Sequence, residues 1–173
     1  SGSMNADERL RNERLVFYKD EVGKIDRVLK ELIHLSKAKC ALLIDKEGHM
    51  VVRTGTLPDF DLDTFSALVA GSFAATKEMA RLLGEDEFAV MFHQGQRDNI
   101  QINLIGDRTI LTVIFDEKTT AGMVRLYAKE AERNLLGIFS ETGGDGDGGE
   151  GLVLDADYDK SAKERLDSLF TKP

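Results

Sequence analysis

The segment from Thr109 to Phe115, TILTVIF, is apolar on both of its faces, and this feature restricts the fold more than any other. Side chains alternate between the two faces of a sheet, so a strand with one solvated face alternates apolar and polar residues. A strand that is apolar on both faces is typical of the centre of a covered sheet. The segment therefore predicts a central strand with other structure packed on both sides.

Four more short segments have the composition of strands. They span residues 40–44, 50–54, 88–93 and 100–105. Asp45-Lys46-Glu47-Gly48 is a turn sequence between the first two, and Gly106-Asp107 is a two-residue hairpin turn before the central strand. Gln101 and Asn103 alternate with apolar residues, which predicts one polar face for their strand. Short hairpin connections predict a mostly antiparallel sheet.

Three segments show the three- and four-residue apolar spacing of amphipathic helices. The first stripe consists of Leu15, Tyr18, Val22, Ile25, Leu29 and Leu32. The second helix begins at Asp61 or Asp63, ends before Gly84, and has the stripe Phe65, Val69, Phe73, Thr76, Ala80 and Leu83. Thr119 or Thr120 begins the third, whose stripe is Val124, Tyr127, Ala131, Leu135 and Ile138. The order helix, two strands, helix, three strands, helix predicts an α+β sandwich.

The second helix carries another stripe, which is made of small residues. Its members are Ala67, Ala70, Gly71, Ala74 and Ala75. Gly71 inside a helix costs about 1 kcal/mol relative to Ala, so a closely packed neighbour is expected to compensate. That neighbour is either another chain at an interface or the helix's own sheet, and the pattern favours neither.

The chain ends differently from the folded part. Residues 1–3 precede Met4 and look like a cloning scar, so the predicted domain spans residues 4–139. Residues 140–157 are acidic and Gly-rich, which predicts a flexible linker. Residues 158–173 regain a helical pattern with Leu166, Leu169 and Phe170 on one side, which predicts a short docking helix. The alternative is a tail helix that folds back on its own domain.

Composition excludes several classes of partner. The formal net charge of −8 repels phosphate backbones and argues against nucleic-acid binding. No apolar stretch approaches the ~18 residues of a membrane span. Cys40 is the single cysteine and lies in an apolar run, which predicts an inert buried thiol in a reducing, cytoplasmic compartment.

Motifs for catalysis, metal binding and cofactor binding are missing from the sequence. It has no P-loop, no nucleophile elbow, no HExxH and no paired CxxC, so it predicts neither an enzyme nor a cofactor. His34, His49 and His93 have no metal-ligand spacing, and the calcium-like pattern in residues 155–166 lacks the required Gly and final Glu. Three arginines are candidates for stabilising the charge that develops in phosphoryl transfer, although a surface charge is the simpler interpretation; they are Arg53, Arg81 and Arg97.

The element order and four sequence stretches resemble the roadblock family, and within it the MglB-like regulators of bacterial Ras-like GTPases. The stretches are AKCALLIDKEGHMV, LVAGSFAATKEMARLLGEDEF, FHQG and VIFDEKTTAGMVRL. Each is a weak motif alone, but their order and spacing together are specific. The resemblance covers residues 18–139.

The resemblance implies a roadblock/profilin-like sandwich with one helix on one face of the sheet and two on the other. It implies a homodimer joined through an edge strand with Phe88, Val90, Phe92 and His93. The paired second helices would form a platform for an MglA-type GTPase, with Ala67, Ala70, Gly71, Ala74, Ala75 and Glu78 as its contact residues. Lys77 and Glu78 depart from the small residues expected there and could re-aim the partner site.

Such regulators act in cell polarity or motility by promoting GTP hydrolysis or nucleotide exchange. In this family the GTPase's own switch residues are reshaped, without an inserted arginine, and the C-terminal helix of some members contacts the GTPase. Two alternatives remain from the sequence. One is a roadblock adaptor without effect on hydrolysis. The other is a small-molecule sensor, which needs a hollow pocket that the dense central strand argues against.

Overall fold

Three helices and one five-stranded sheet make up the part of the chain that the computed structural model describes, residues 6–86 and 88–144, with side chains described for residues 21–86 and 88–141. The elements are α1 (Ala6–Ser36), β1 (Cys40–Asp45), β2 (Met50–Gly55), α2 (Leu62–Leu82), β3 (Val90–Gln94), β4 (Asn99–Ile105), β5 (Thr109–Phe115) and α3 (Ala121–Gly144). The strands lie in the order β2-β1-β5-β4-β3, and every neighbouring pair is antiparallel. The predicted sheet and element order are confirmed.

The central strand is β5, and all seven of its residues are buried. Helices α1 and α3 cover one face of the sheet, and α2 covers the other. The larger core lies under α1 and α3 and includes Leu29, Leu111, Val113 and Leu135. The smaller core lies under α2, with Leu42, Val69, Phe73 and Ile110. The three-layer α+β sandwich with one helix against two is therefore confirmed.

Gln101 and Asn103 share one face of β4 as predicted, but that polar face is buried. Gln101 is 1% exposed and Asn103 is 3% exposed, and the Gln101 side chain donates a hydrogen bond from Nε2 to Asn103 Oδ1 at 3.0 Å. They pair with Val113 and Leu111 of β5, which belong to the core under α1 and α3. The two amides satisfy part of each other's hydrogen-bonding capacity, so they can lie beneath helices instead of facing water.

Two details of the strand boundaries also differ from the prediction. The turn between β4 and β5 has three residues, 106–108, because Ile105 pairs with Thr109 and the Lys46 amide holds the Arg108 carbonyl at 3.1 Å. Strand β3 starts at Val90, so Phe88 lies before the strand. The backbone still contacts β4 there, since the Leu104 amide donates to the Ala89 carbonyl at 2.8 Å.

Helix α3 starts at the second of the two predicted caps. Thr120 Oγ1 accepts a hydrogen bond from the Met123 amide at 3.2 Å, and Ala128 joins the predicted buried stripe. The helix continues to Gly144, so residues 140–144, predicted as the start of the linker, are helical. The cloning scar, the rest of the linker and the docking helix lie outside the described residues.

The C-terminal end of α1 has a left-handed residue that carries a side chain. Lys37 has φ 64°, and its amide donates to the Ile33 carbonyl at 3.0 Å. An L-residue with a Cβ is strained in this conformation by about 1–2 kcal/mol, whereas glycine is not. The left-handed residue lets the chain turn sharply from α1 into β1. Burial of β1, which begins at Cys40, offsets the strain at Lys37.

We expect Lys37→Gly to stabilise the protein. Glycine removes the left-handed strain, but it also gives the unfolded chain more conformational entropy, which opposes folding. The net gain in the free energy of unfolding is about 0.5–1 kcal/mol. Urea denaturation of the two proteins measures the difference. Lys37→Ala is the control, because it removes the same exposed amine but keeps the Cβ. Equal stability of the Gly and Ala variants would contradict the explanation.

Candidate functional site

The N-terminal end of α2 is fixed by Asp61. Its Oδ1 accepts hydrogen bonds from the amides of Asp63 at 3.0 Å and Thr64 at 3.4 Å, and its Oδ2 accepts one from Thr64 Oγ1 at 2.9 Å. The Thr64 hydroxyl, followed by the two amides, holds the pKa of Asp61 below its ordinary value. Of the two predicted caps, Asp61 is the one that begins the helix.

A Schellman motif ends the same helix. The amides of Gly84 and Glu85 donate to the carbonyls of Arg81 and Ala80 at 3.1 and 2.9 Å, and Gly84 has φ 78°. Glycine suits this left-handed position because it has no Cβ. The chain therefore leaves the helix at once, and Leu83, predicted in the buried stripe, is 72% exposed.

One side of α2 packs on the sheet as predicted, through Val69, Phe73 and Ala80. The structure divides the stripe of small residues between two roles. Ala70 is 6% exposed and belongs to the core under α2. Ala67 and Ala75 are exposed, and Gly71 and Ala74 are half-buried. A Cβ added to Gly71 would have no atom within 4 Å, so nothing in the described fold requires glycine there.

A second apolar stripe on α2 was not singled out from the sequence. It consists of Leu68, Ala75, Met79 and Leu82, at steps of seven, four and three residues. Leu68 is 67% exposed, Met79 is 53% exposed and Leu82 is 82% exposed. Together with the small residues they form the outward face of α2, defined here as Ala67, Leu68, Gly71, Ala74, Ala75, Met79 and Leu82. Large apolar side chains exposed in one stripe are typical of a surface that contacts another protein, so this face is the candidate contact surface of the domain.

Charged residues interrupt the C-terminal half of this face, because Glu78 lies one helical turn after Ala74 and Ala75 and one turn before Leu82. Arg81 forms an ion pair with Glu78, with 2.6 Å between Arg81 Nη2 and Glu78 Oε2, and Lys77 is half-buried next to it. Glu78 satisfies the arginine locally, one helical turn away. A partner that covers the outward face would therefore contact the Glu78–Arg81 pair among the apolar side chains, where a run of small residues was expected.

Strand β3 is an edge of the sheet and hydrogen-bonds within the described chain only to β4. Val90 is 45% exposed, Phe92 is 41% exposed, and His93 is also exposed. The Phe92 ring stacks on Phe115 of β5, with 6.0 Å between centroids, so one side of it is held by the core. A partly exposed apolar edge strand is a ready template for pairing with another strand.

Comparison with known proteins now identifies the fold family. Residues 24–115 match the model of the Roadblock/LC7 domain. The chain belongs to the roadblock/LC7 family.

Within that family the solved structures that resemble the chain include MglB proteins. MglB of Myxococcus xanthus is 37% identical, with a TM-score of 0.66, over 68% of this chain and 96% of that one. The gliding protein MglB of Thermus thermophilus is 36% identical, with a TM-score of 0.65, over 69% and 91%. A structure described as MglB with tetrameric arrangement is also 36% identical, with a TM-score of 0.65, over 69% and 90%. The domain is therefore an MglB-like roadblock domain.

The roadblock domain does not bring the three candidate arginines together. Arg53 is on β2 and Arg97 is in the loop after β3, at opposite edges of the sheet, while Arg81 is paired at the end of α2. The loop with Arg97 is tied down by Lys39, whose Nζ lies 3.0 Å from Asp98 Oδ1. That hydrogen bond raises the pKa of Lys39. The arrangement fixes a loop and forms no shared arginine site.

Asp45, Glu47 and His49 meet at the turn between β1 and β2, a juxtaposition that was missed in the sequence. Their ligand atoms lie within 4.8 Å of one another. Asp45 is 6% exposed, and its Oδ1 accepts hydrogen bonds from the amides of Glu47 at 3.0 Å and His49 at 2.8 Å. His49 Nδ1 lies 3.3 Å from Asp45 Oδ2. These contacts explain the cluster as part of a structural turn. An Asp at the first position of a turn commonly accepts hydrogen bonds from amides a few residues ahead, and Asp45 in its turn sequence was the signal for this contact.

Cys40 is a buried free thiol. Burial raises its pKa to about 11, so it is protonated at neutral pH and has little nucleophilic thiolate. Among the described residues, no helix has both the length and the apolar character needed to cross a membrane.

Two helical glycines test whether the outward face of α2 is built for close approach. We expect Gly71→Ala and Gly137→Ala each to raise the stability of the fold by about 0.5–1 kcal/mol, because both lie inside helices and neither added methyl would meet an atom within 4 Å. Gly137 is exposed on α3, on the other face of the sheet, and serves as the control.

Association should separate the two variants. If another backbone approaches Gly71, its methyl weakens self-association or partner binding while that of Gly137 does not. Chemical denaturation measures the first effect, and concentration-dependent light scattering together with partner titration measures the second. Identical association of both variants would show that the glycine in α2 has no interface role.

Proposed function

We propose that the protein is a homodimeric regulator of a small Ras-like GTPase of the MglA type, in bacterial cell polarity or gliding motility. It is not itself an enzyme in this proposal. The family membership supports the class of partner, and the outward face of α2 supports the place where the partner binds. The exposed Leu68, Met79 and Leu82 carry the proposal, because a domain with no partner would gain from polar residues at all three positions.

The face also has the composition of a protein-binding surface. It combines large apolar side chains, which provide burial, with Gly71 and Ala74, which let a partner's backbone come close. The Glu78–Arg81 ion pair beside these residues is exposed and offers charges that a correct partner must match. We expect this exposed ion pair to affect which partner binds more than it affects the binding free energy.

The mode of action follows from what this surface offers. Arg81 is engaged by Glu78, and the outward face supplies apolar contacts and no acid–base pair. Such a surface can alter hydrolysis or exchange by favouring one conformation of the GTPase's own switch segments. The core on both sides of β5 is filled by large apolar side chains, which favours this role over that of a sensor with a pocket beside the central strand.

Self-association gives the first test. We expect light scattering at micromolar concentration to report twice the chain mass of 19.2 kDa, since the β3 edge and the outward face of α2 both need cover. Val90→Lys should shift the equilibrium towards the monomer, because it places a charge on the exposed edge. Thr54→Lys, on the opposite edge strand β2, is the control. A monomer at every concentration would contradict the dimer.

A hydrolysis assay with an MglA-type GTPase gives the second test. The unmodified protein should accelerate phosphate release or nucleotide exchange. Ala74→Arg should weaken GTPase binding by about tenfold or more, because the long side chain holds the partner away from the apolar face. Gly137→Arg places the same side chain on α3, on the other face of the sheet, and should behave like the unmodified protein.

The outcomes of this assay separate the candidate functions. Binding without any change in hydrolysis or exchange would indicate the adaptor. Unchanged affinity of a folded, dimeric Ala74→Arg protein would exclude α2 as the site. Loss of the dimer in that variant would assign this part of α2 to self-association.

A further inference from the structure

A shallow crevice runs between α1 and α3, on the face of the sheet opposite α2. Leu32 and Ala131 form its buried floor, with Val28, Leu35 and Tyr127 partly buried along its walls. Glu31 on α1 and Glu130 on α3 are exposed on its two rims. Asn134 also lines it, so the crevice is a small groove of mixed polarity between two carboxylates. The function proposed for α2 does not use it.

The apolar surface continues beyond the crevice along α3. Met123 is 40% exposed and lies one helical turn before Tyr127. Leu126 is 61% exposed and lies one turn before Glu130. The fold therefore leaves a strip about two turns long that a short amphipathic segment could cover.

We propose that residues 158–173 of the same chain dock in this crevice. This segment offers apolar residues for contact with the crevice and with the exposed strip beside it; they are Ala162, Leu166, Leu169 and Phe170. The same sixteen residues carry four basic side chains, Lys160, Lys163, Arg165 and Lys172, against three acidic ones. A slightly basic amphipathic segment complements a groove with a glutamate on each rim, whereas the acidic residues 145–157 do not.

The length of the connection suits this contact. Helix α3 ends at Gly144, near the point where Lys24 of α1 lies 3.7 Å from Glu141, so the chain leaves the helix beside the α1–α3 layer. Ala131, in the crevice floor, lies about 20 Å back along α3 from Gly144, at 1.5 Å per residue. A Gly-rich connection of thirteen residues, 145–157, has an r.m.s. span of about 20 Å.

Tethering favours this occupant over a second molecule. A segment held at this distance from its site has an effective concentration of about a millimolar, so even a weak contact is populated. The proposal does not depend on the GTPase, and it assigns the segment a resting place on its own domain. A GTPase bound to α2 could contact the segment only when the segment has left the crevice.

Paramagnetic broadening in the full chain tests the contact directly. Cys40 is buried and protonated, so a Thr171→Cys substitution provides one reactive thiol for a spin label. We expect amides of residues 28–35 and 123–134 to broaden, and those of the outward face of α2 to stay sharp. Broadening centred on α2, or none at all, would overturn the proposal.

A mixed sample separates contacts within a chain from contacts between chains. Spin-labelled protein without ¹⁵N is mixed with ¹⁵N-labelled protein without a spin label. Broadening of the crevice that is as strong in this mixture as in the doubly labelled chain would assign the crevice to a segment from a second copy and would overturn the proposal.

Charge reversal supplies the matched variants. Glu31→Lys combined with Glu130→Lys should reduce the broadening by about threefold or more, because both rims then repel the basic segment. Glu85→Lys reverses an exposed charge just after α2 and should leave the broadening unchanged. Equal broadening in both proteins, with the fold intact by the remaining amide shifts, would overturn the assignment to this crevice.

Discussion

All seven residues of β5 are buried, and the rest of the domain is arranged to keep water from both of its faces. Strands β1 and β4 satisfy its backbone on either side. Helices must then close both faces, since a five-stranded sheet leaves both open. The chain provides them by placing a helix before the first hairpin, another between β2 and β3, and a third after β5. Connections between strands can therefore stay short, and the sheet can be antiparallel throughout.

The two faces are closed to different degrees. A sheet of five strands is about 24 Å wide, at ~4.8 Å per strand, whereas one helix with its side chains is about 10–12 Å across. Helices α1 and α3 lie side by side and cover most of their face, although Val90 and Phe92 of β3 stay partly exposed on it. Helix α2 lies alone, so Met91 and Ile100 at the β3 side are only partly buried beneath it. The face covered by one helix therefore leaves apolar surface for a second molecule both on the sheet and on the outward face of α2, where Leu68, Met79 and Leu82 are exposed.

Most of the fold follows from local patterns in the sequence, and the exceptions have physical causes. The core could be predicted from the apolar residues on both faces of β5 and from the apolar stripes of the helices. Each of these patterns depends on many residues, so one exception does not change the prediction. Gln101 and Asn103 could not be placed from their polarity, since the hydrogen bond between them removes the need for water. The turn at residues 106–108 was misjudged because the Arg108 carbonyl is held by the other hairpin, a contact distant in sequence. Leu68, Met79 and Leu82 were overlooked because the two stripes assigned to this helix were the buried one and the one made of small residues, and large apolar side chains on the exposed side belong to neither.

The placement of the two apolar surfaces on opposite faces has a consequence for regulation. The sheet and its covering helices separate the outward face of α2 from the α1–α3 crevice by three layers, about 20 Å between the outer layers at ~10 Å per layer. A Gly-rich coil of thirteen residues has a comparable r.m.s. span. In the proposed arrangement, one segment therefore reaches either side but does not occupy both. Any preference of the segment for the crevice then lowers its apparent affinity for a partner on α2 by the fraction of time it is free. Coupling between the two faces would in that case arise from competition for one tethered segment, and the rigid sheet between them would not need to change shape.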